Sequence, residues 1–82
     1  MKKGDRKMPL ALANAGDALV VERISGAPDV KKHLEDLGFV TGAEIEVVQA
    51  QKGNLIIALK GSRLAITSEM ARKIMVRPKN GA

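Results

Sequence analysis

The amino-acid sequence predicts a mainly β fold, a small barrel or sandwich of about five strands with two short α-helices. The chain has 82 residues, of which 45% are apolar, and this is enough for one small domain. Several segments alternate apolar and polar residues, which is the period of a half-buried strand. Glycines recur at intervals mostly of about 8 to 12 residues, the spacing that turns between short strands require. These glycines are Gly16, Gly26, Gly38, Gly42, Gly53 and Gly61.

The clearest strand covers residues 44–49. Ile45 and Val47 point to one side of the extended chain, whereas Glu44 and Glu46 point to the other, so one face is buried and one is wet. The remaining predicted strands are residues 18–24, 54–60, 63–66 and 74–76.

Two predicted turns join the central strands. Residues 51–54 form a hairpin loop in which Gly53 adopts a positive φ at low cost, and Gly61-Ser62 forms a second turn. Residues 44–66 are therefore predicted to be a three-stranded meander.

The first predicted helix begins at Pro28 with Asp29 as its N-cap and ends at Gly38. Its apolar stripe consists of Val30, Leu34 and Leu37. The second helix, residues 68–73, spans about two turns and starts from Thr67 or Ser68 as cap. It is expected to bury Met70, Ala71 and Ile74.

The net charge of +5 is concentrated at the two ends of the chain. Residues 1–7 carry +3 and residues 72–82 carry +4, which leaves −2 on the 64 residues between them. We therefore divide the chain into a basic flexible tail (1–7), a domain (8–77) and a second flexible tail (78–82). The segment between the two basic ends is slightly acidic, and Phe39 is the one aromatic residue of the chain, so the sequence does not predict nucleic-acid binding.

Composition also limits the chemistry and the location of the protein. The absence of cysteine excludes disulfides, thiolate metal sites and cysteine nucleophiles, and it is typical of a cytoplasmic protein. No apolar run is long enough for membrane insertion. The serines form no plausible triad with His33, the one histidine, and there is no phosphate-binding loop, so we predict no enzymatic activity.

The order of these elements, together with several short motifs, resembles the FeoA family of ferrous-iron transport proteins. The resemblance covers Leu10 to Val76, and its most specific piece is Leu37-Gly38-Phe39-Val40-Thr41-Gly42 at a helix end. Further matching pieces are Ile24-Ser25-Gly26, Ile45-Glu46-Val47, Leu55-Ile56-Ile57, Leu64-Ala65-Ile66, Glu69-Met70-Ala71 and Ile74-Met75-Val76. The resemblance implies a small SH3-like barrel, with Gly38 and Gly42 as structural turns.

The same resemblance implies a non-enzymatic accessory role in bacterial ferrous-iron uptake. The expected partner is the cytosolic G-protein domain of the membrane transporter FeoB, and contact with it would recruit the protein to the inner face of the membrane. No cofactor is required, and the family is associated with weak binding of a transition metal ion such as Fe(II). The alternative is a metal-responsive regulatory domain, because the barrel also forms the C-terminal domain of repressors similar to the diphtheria toxin repressor.

The residue pattern and the family resemblance together indicate candidate site residues. His33 and Asp29, one helical turn apart, are the candidate metal ligands. Arg63 is the candidate for an arginine finger that would stimulate GTP hydrolysis by the transporter. For partner binding, the candidates are Leu37, Phe39, Val40, Arg63 and Met70. Phe39 either fills the end of the barrel or projects from the surface as an anchor for a partner. The sequence leaves the oligomeric state undecided, because the exposed edge strands of such a barrel permit dimers.

Overall fold

Six antiparallel strands form one sheet in the computed structural model, which describes residues 7–79. The strands are β1 (Met8–Pro9), β2 (Ala18–Ile24), β3 (Glu44–Gln51), β4 (Asn54–Leu59), β5 (Ser62–Thr67) and β6 (Ile74–Pro78). Their order across the sheet is β1-β6-β2-β3-β4-β5. A 3-10 helix (Leu10–Leu12) and two α-helices, α1 (Pro28–Leu37) and α2 (Ser68–Ala71), complete the domain. The mainly β, SH3-like architecture is confirmed, and the two-residue β1 is a strand beyond the five predicted.

The predicted meander is confirmed as β3, β4 and β5. Gly53 has a φ of +85° in the β3–β4 turn. In the β4–β5 turn both Lys60 (φ +51°) and Gly61 (φ +82°) are left-handed, the pattern of a two-residue type I′ turn. The turn therefore lies one residue earlier than predicted, and Ser62 already belongs to β5.

Helix α1 ends as predicted but begins differently. Gly38 is left-handed, and its N–H donates to the carbonyl oxygens of Leu34 and Glu35. The prediction of Asp29 as N-cap is wrong, because Ala27 occupies that position and Pro28 the first helical one. Proline suits that position because its φ is helical and its missing N–H would lack a helical partner anyway.

Helix α2 is shorter than the two turns predicted. Thr67 is its N-cap, as expected, and the Thr67 side chain accepts a hydrogen bond from the Met70 N–H at 3.2 Å. The helix ends after Ala71 because the chain must enter β6 at Ile74. The Ser68 N–H donates to the Gly53 carbonyl at 3.0 Å and so ties the helix to the β3–β4 turn.

Replacing Thr67 with alanine is expected to lower the free energy of unfolding by about 1 kcal/mol, because the Met70 N–H loses its capping oxygen. Urea denaturation followed by far-UV circular dichroism measures this change. Thr67→Ser is the matched control, since it keeps the hydroxyl, and it should recover most of the loss. An equal loss in both variants would show that the cap does not account for the effect.

The core lies between the curled sheet and the helices, and every buried side chain in the described residues is apolar. Leu10 is fully buried, so the 3-10 helix before β2 contributes a side chain to the core. The largest fully buried side chains are Phe39, Leu10, Leu34, Ile57, Ile74, Val21, Val47 and Val76.

The C-terminal strand continues one residue past the predicted domain end at 77, since Pro78 pairs with Leu19. The Lys79 N–H then donates to the Ala18 carbonyl at 3.0 Å. The predicted tail at 1–7, apart from Lys7, and residues 80–82 of the other tail lie outside the described residues. Within 7–79 no helix is long and apolar enough to cross a membrane.

Candidate docking surface

Two neighbouring apolar side chains are exposed where α1 ends. Leu37 is 37% exposed and Val40 is 43% exposed. Among the described residues, the other large apolar side chain left in water is Leu12, at 67%, on the 3-10 helix. Leu34 of the α1 stripe is fully buried, whereas Leu37, at the end of the same stripe and a candidate for partner binding, is partly open to solvent.

Phe39 points the other way and fills the core. Gly38 turns the chain out of the helix in a left-handed conformation, and the Phe39 N–H donates to the Leu34 carbonyl at 3.1 Å. The Phe39 side chain is completely buried. Its interpretation as a barrel plug is confirmed, and its selection as a partner-binding anchor is wrong because it offers no surface to a partner.

An open depression of about 560 Å³ lies beside Val40. Its lining residues are Val40, Thr41, Gly42, Ala43, Glu44 and Lys60. The α1 end and the β4–β5 turn meet here because Gly38 packs directly against Leu59, so closely that a Cβ on Gly38 would lie 2.7 Å from Leu59 Cδ2. We call Leu37, Val40, Thr41, Glu44 and Lys60 the α1-end surface.

The α1-end surface combines apolar and charged groups. Glu44 pairs with Lys79, whose Nζ lies 3.1 Å from Glu44 Oε1, and both of these side chains are largely in water. A second depression, of about 220 Å³, is bordered by Glu44, Lys60 and Lys79 as well. Val40 is therefore flanked by charges of both signs, and the exposed Leu37 lies three residues before it at the end of α1; an apolar centre with a polar rim is typical of an interface.

The other partner-binding candidates lie on different elements. Arg63 is exposed on β5, opposite Ala58 of β4. Met70 is half-buried on α2 and packs against the core. Sequence reasoning missed Lys60 and Glu44 as neighbours of Val40. Gly61 was the available signal, since glycine suits the second central position of a type I′ turn, whereas lysine is uncommon at the first.

The metal candidates do not fit a site with several protein ligands. His33 and Asp29 are both exposed on α1, and Asp29 Oδ1 accepts a hydrogen bond from the Val30 N–H at 2.9 Å. Between residues 7 and 79 no three His, Cys, Asp or Glu side chains are grouped so that they could hold a metal ion. A transition metal bound tightly in a protein ordinarily has three or four such ligands.

Comparison with known proteins agrees with this architecture. A chain of Methanocaldococcus jannaschii named Fe(2+) transport protein A is 37% identical over 68 residues, which is 83% of each chain. The crystal structure of an iron uptake regulatory protein (FeoA) superposes with a TM-score of 0.83 at 33% identity, over 88% of this chain and 97% of that one.

More distant structures share the fold. A manganese-dependent transcriptional repressor superposes with a TM-score of 0.82 at 21% identity, over 88% of this chain but 41% of the repressor. The FeoA domain family model matches residues 8–78, nearly the whole described chain. This chain therefore belongs to the FeoA family.

Proposed function

We propose that this chain is a non-enzymatic accessory protein of ferrous-iron uptake, and that it binds the cytosolic G-protein domain of a FeoB-type transporter. Membership of the FeoA family and the name of the Methanocaldococcus relative support a place in iron transport. Binding to that domain puts the protein in the cytoplasm, at the inner face of the membrane. Iron is the cargo of the transporter in this proposal, and residues 7–79 hold no group of three metal-ligating side chains that could bind it tightly.

The observation that carries the proposal is the exposure of Leu37 and Val40 on both sides of the buried Phe39. The helix cap at Gly38 and the burial of Phe39 fix the backbone between them, so the positions from which the two side chains project are set before a partner arrives. Fixed apolar groups cost little conformational entropy on binding. Glu44 and Lys60, which line the depression together with Val40, supply the charges that select and orient a partner.

Replacing Leu37 with aspartate is expected to weaken binding to the G domain at least about tenfold, because it places a charge in the apolar centre of the contact. Calorimetric titration of the 82-residue protein into the isolated cytosolic domain of its cognate transporter measures the affinity. The titration is run anaerobically, with and without Fe(II). Wild type should bind in both conditions. Leu12→Asp is the matched control, since Leu12 is more exposed and lies on another element, and its affinity should stay within about twofold of wild type.

Two outcomes would count against the proposal. Equal losses in Leu37→Asp and Leu12→Asp would show that the α1-end surface is not the contact. Binding only in the presence of Fe(II) would instead favour the second candidate function, a metal-responsive regulatory domain. The specific observation behind that candidate is the fold shared with the manganese-dependent repressor.

A further inference from the structure

The two outer strands of the sheet differ in how well their edges are protected. β1 is two residues long, and one of the two is Pro9, which has no N–H to offer a further strand. β5 is six residues long and contains no proline. Its register with β4 is unbroken from Ser62 to Thr67, whereas the β2–β6 and β3–β4 ladders each contain a register shift. β5 is therefore the edge on which another strand can add.

The free backbone groups of β5 are identified by its turn and register. The type I′ turn closes with Ser62 bonded to Leu59, and bonded and non-bonded pairs alternate along an antiparallel ladder. The backbone N–H and C=O groups of Leu64 and Ile66 therefore point at β4. Those of Arg63 and Ala65 point away from β4, toward the open edge of the sheet. Within 7–79, no backbone hydrogen bond outside the strand ladders involves residues 63–65.

The side chains of β5 leave this edge accessible. Arg63 and Ala65 are exposed on the outer face, Leu64 is partly buried and Ile66 is buried. Arg63 is the one charged residue of the strand, and it lies near the turn rather than at the strand centre. The small side chain of Ala65 leaves the middle of the edge open to a neighbouring backbone.

We propose that β5 pairs antiparallel with β5 of a second copy of this chain, about a two-fold axis at Ala65. In this register Ala65 opposes Ala65, and Arg63 opposes Thr67 of the second copy, so no like charges face each other. Leu64 opposes Ile66 on the inner face and extends the apolar side of the sheet across the axis. Because the β1 edge cannot accept a strand, the assembly closes as a dimer rather than growing into a filament.

The surface area buried between the two copies is small, and this area determines how tightly the dimer is held in solution. One pair of six-residue strands buries less than the roughly 800 Å² per partner of a standard stable interface. The dimer should therefore form reversibly, with the monomer predominant in dilute solution. This inference does not depend on the proposed function, since the α1-end surface and β5 are different elements.

Analytical ultracentrifugation of the full chain from about 5 μM to about 1 mM tests the proposal, because weak interfaces dissociate in this range. The wild-type mass should rise from 8.7 kDa toward twice that value. Ala65→Lys should remain monomeric throughout, because two lysines would face each other at the axis. Ala65→Pro should also remain monomeric, because it removes the outward N–H. Ala15→Lys adds the same charge to an exposed turn and should associate like wild type.

Amide hydrogen exchange provides a residue-level readout. The Arg63 and Ala65 amide protons should exchange freely at low concentration and become protected at high concentration, while those of Leu64 and Ile66 stay protected throughout. A wild-type chain that stays monomeric at 1 mM, or an Ala65→Lys chain that associates normally, would overturn the proposal. If wild type stays monomeric and Ala65→Lys abolishes binding to the transporter domain, the proposal is overturned in favour of a β5 edge that accepts a strand of that partner.

Discussion

Phe39→Ala is expected to abolish the cooperative unfolding transition of this protein at room temperature. Phe39 is the largest of the fully buried side chains and the one aromatic residue in the chain. Its truncation in a core costs about 3 to 5 kcal/mol. A domain of this size has a total stability of roughly the same amount, so the variant should be largely unfolded.

Far-UV circular dichroism during urea denaturation measures this effect, because the chain has no tryptophan or tyrosine to serve as a fluorescent reporter. Phe39→Leu keeps most of the buried volume and should fold with reduced stability. Val40→Ala is the matched control at the next position, where the side chain is 43% exposed, and it should change the free energy of unfolding by about 0.5 kcal/mol or less. A well-folded Phe39→Ala protein would mean that Phe39 is not the plug of this core.

Gly38→Ala is expected to lower the free energy of unfolding by about 2 to 4 kcal/mol. Two costs add at this position. The left-handed conformation, with φ at +113°, disfavours any residue with a Cβ by about 1 to 2 kcal/mol. The added Cβ would also lie 2.7 Å from Leu59 Cδ2, and overpacking of a core typically costs about 1 to 3 kcal/mol.

Gly42→Ala separates the two costs. Gly42 has a similar φ of +91°, but no atom lies within 4 Å of where its Cβ would be. This control should therefore show the backbone cost alone, about 1 to 2 kcal/mol. The difference between the two variants in urea denaturation measures the contact with Leu59. Equal losses at both positions would show that Leu59 moves aside at no cost.

The strands and their turns could be predicted from the sequence because their signals are local. Alternation in residues 44–49 and the positive φ demanded at Gly53 depend on neighbouring residues alone. β1 could not be predicted, since Met8 and Pro9 carry no periodic pattern and become a strand by pairing with Met75 and Val76.

The candidate site was predictable in part. Helical periodicity puts Leu34 and Leu37 on the same apolar stripe, but it does not distinguish the fully buried Leu34 from Leu37, which is 37% exposed. The Leu37-Gly38-Phe39-Val40 segment offers three apolar side chains, and which of them enters the core depends on how Gly38 turns against Leu59, some twenty residues away in sequence. The depression next to Val40 could not be predicted for the same reason, because it is bordered by the β4–β5 turn, which is distant from Val40 along the chain.

The pairing of β2 with β6 has a consequence for how the chain folds. Each turn of the β3–β4–β5 meander joins its strands through two residues, whereas Glu22 of β2 and its ion-pair partner Arg77 of β6 are 55 residues apart. Closing a long loop costs more conformational entropy than closing a hairpin, and non-local strand pairing is slow. We therefore expect the meander to order early and the meeting of the two ends of the domain to limit the folding rate.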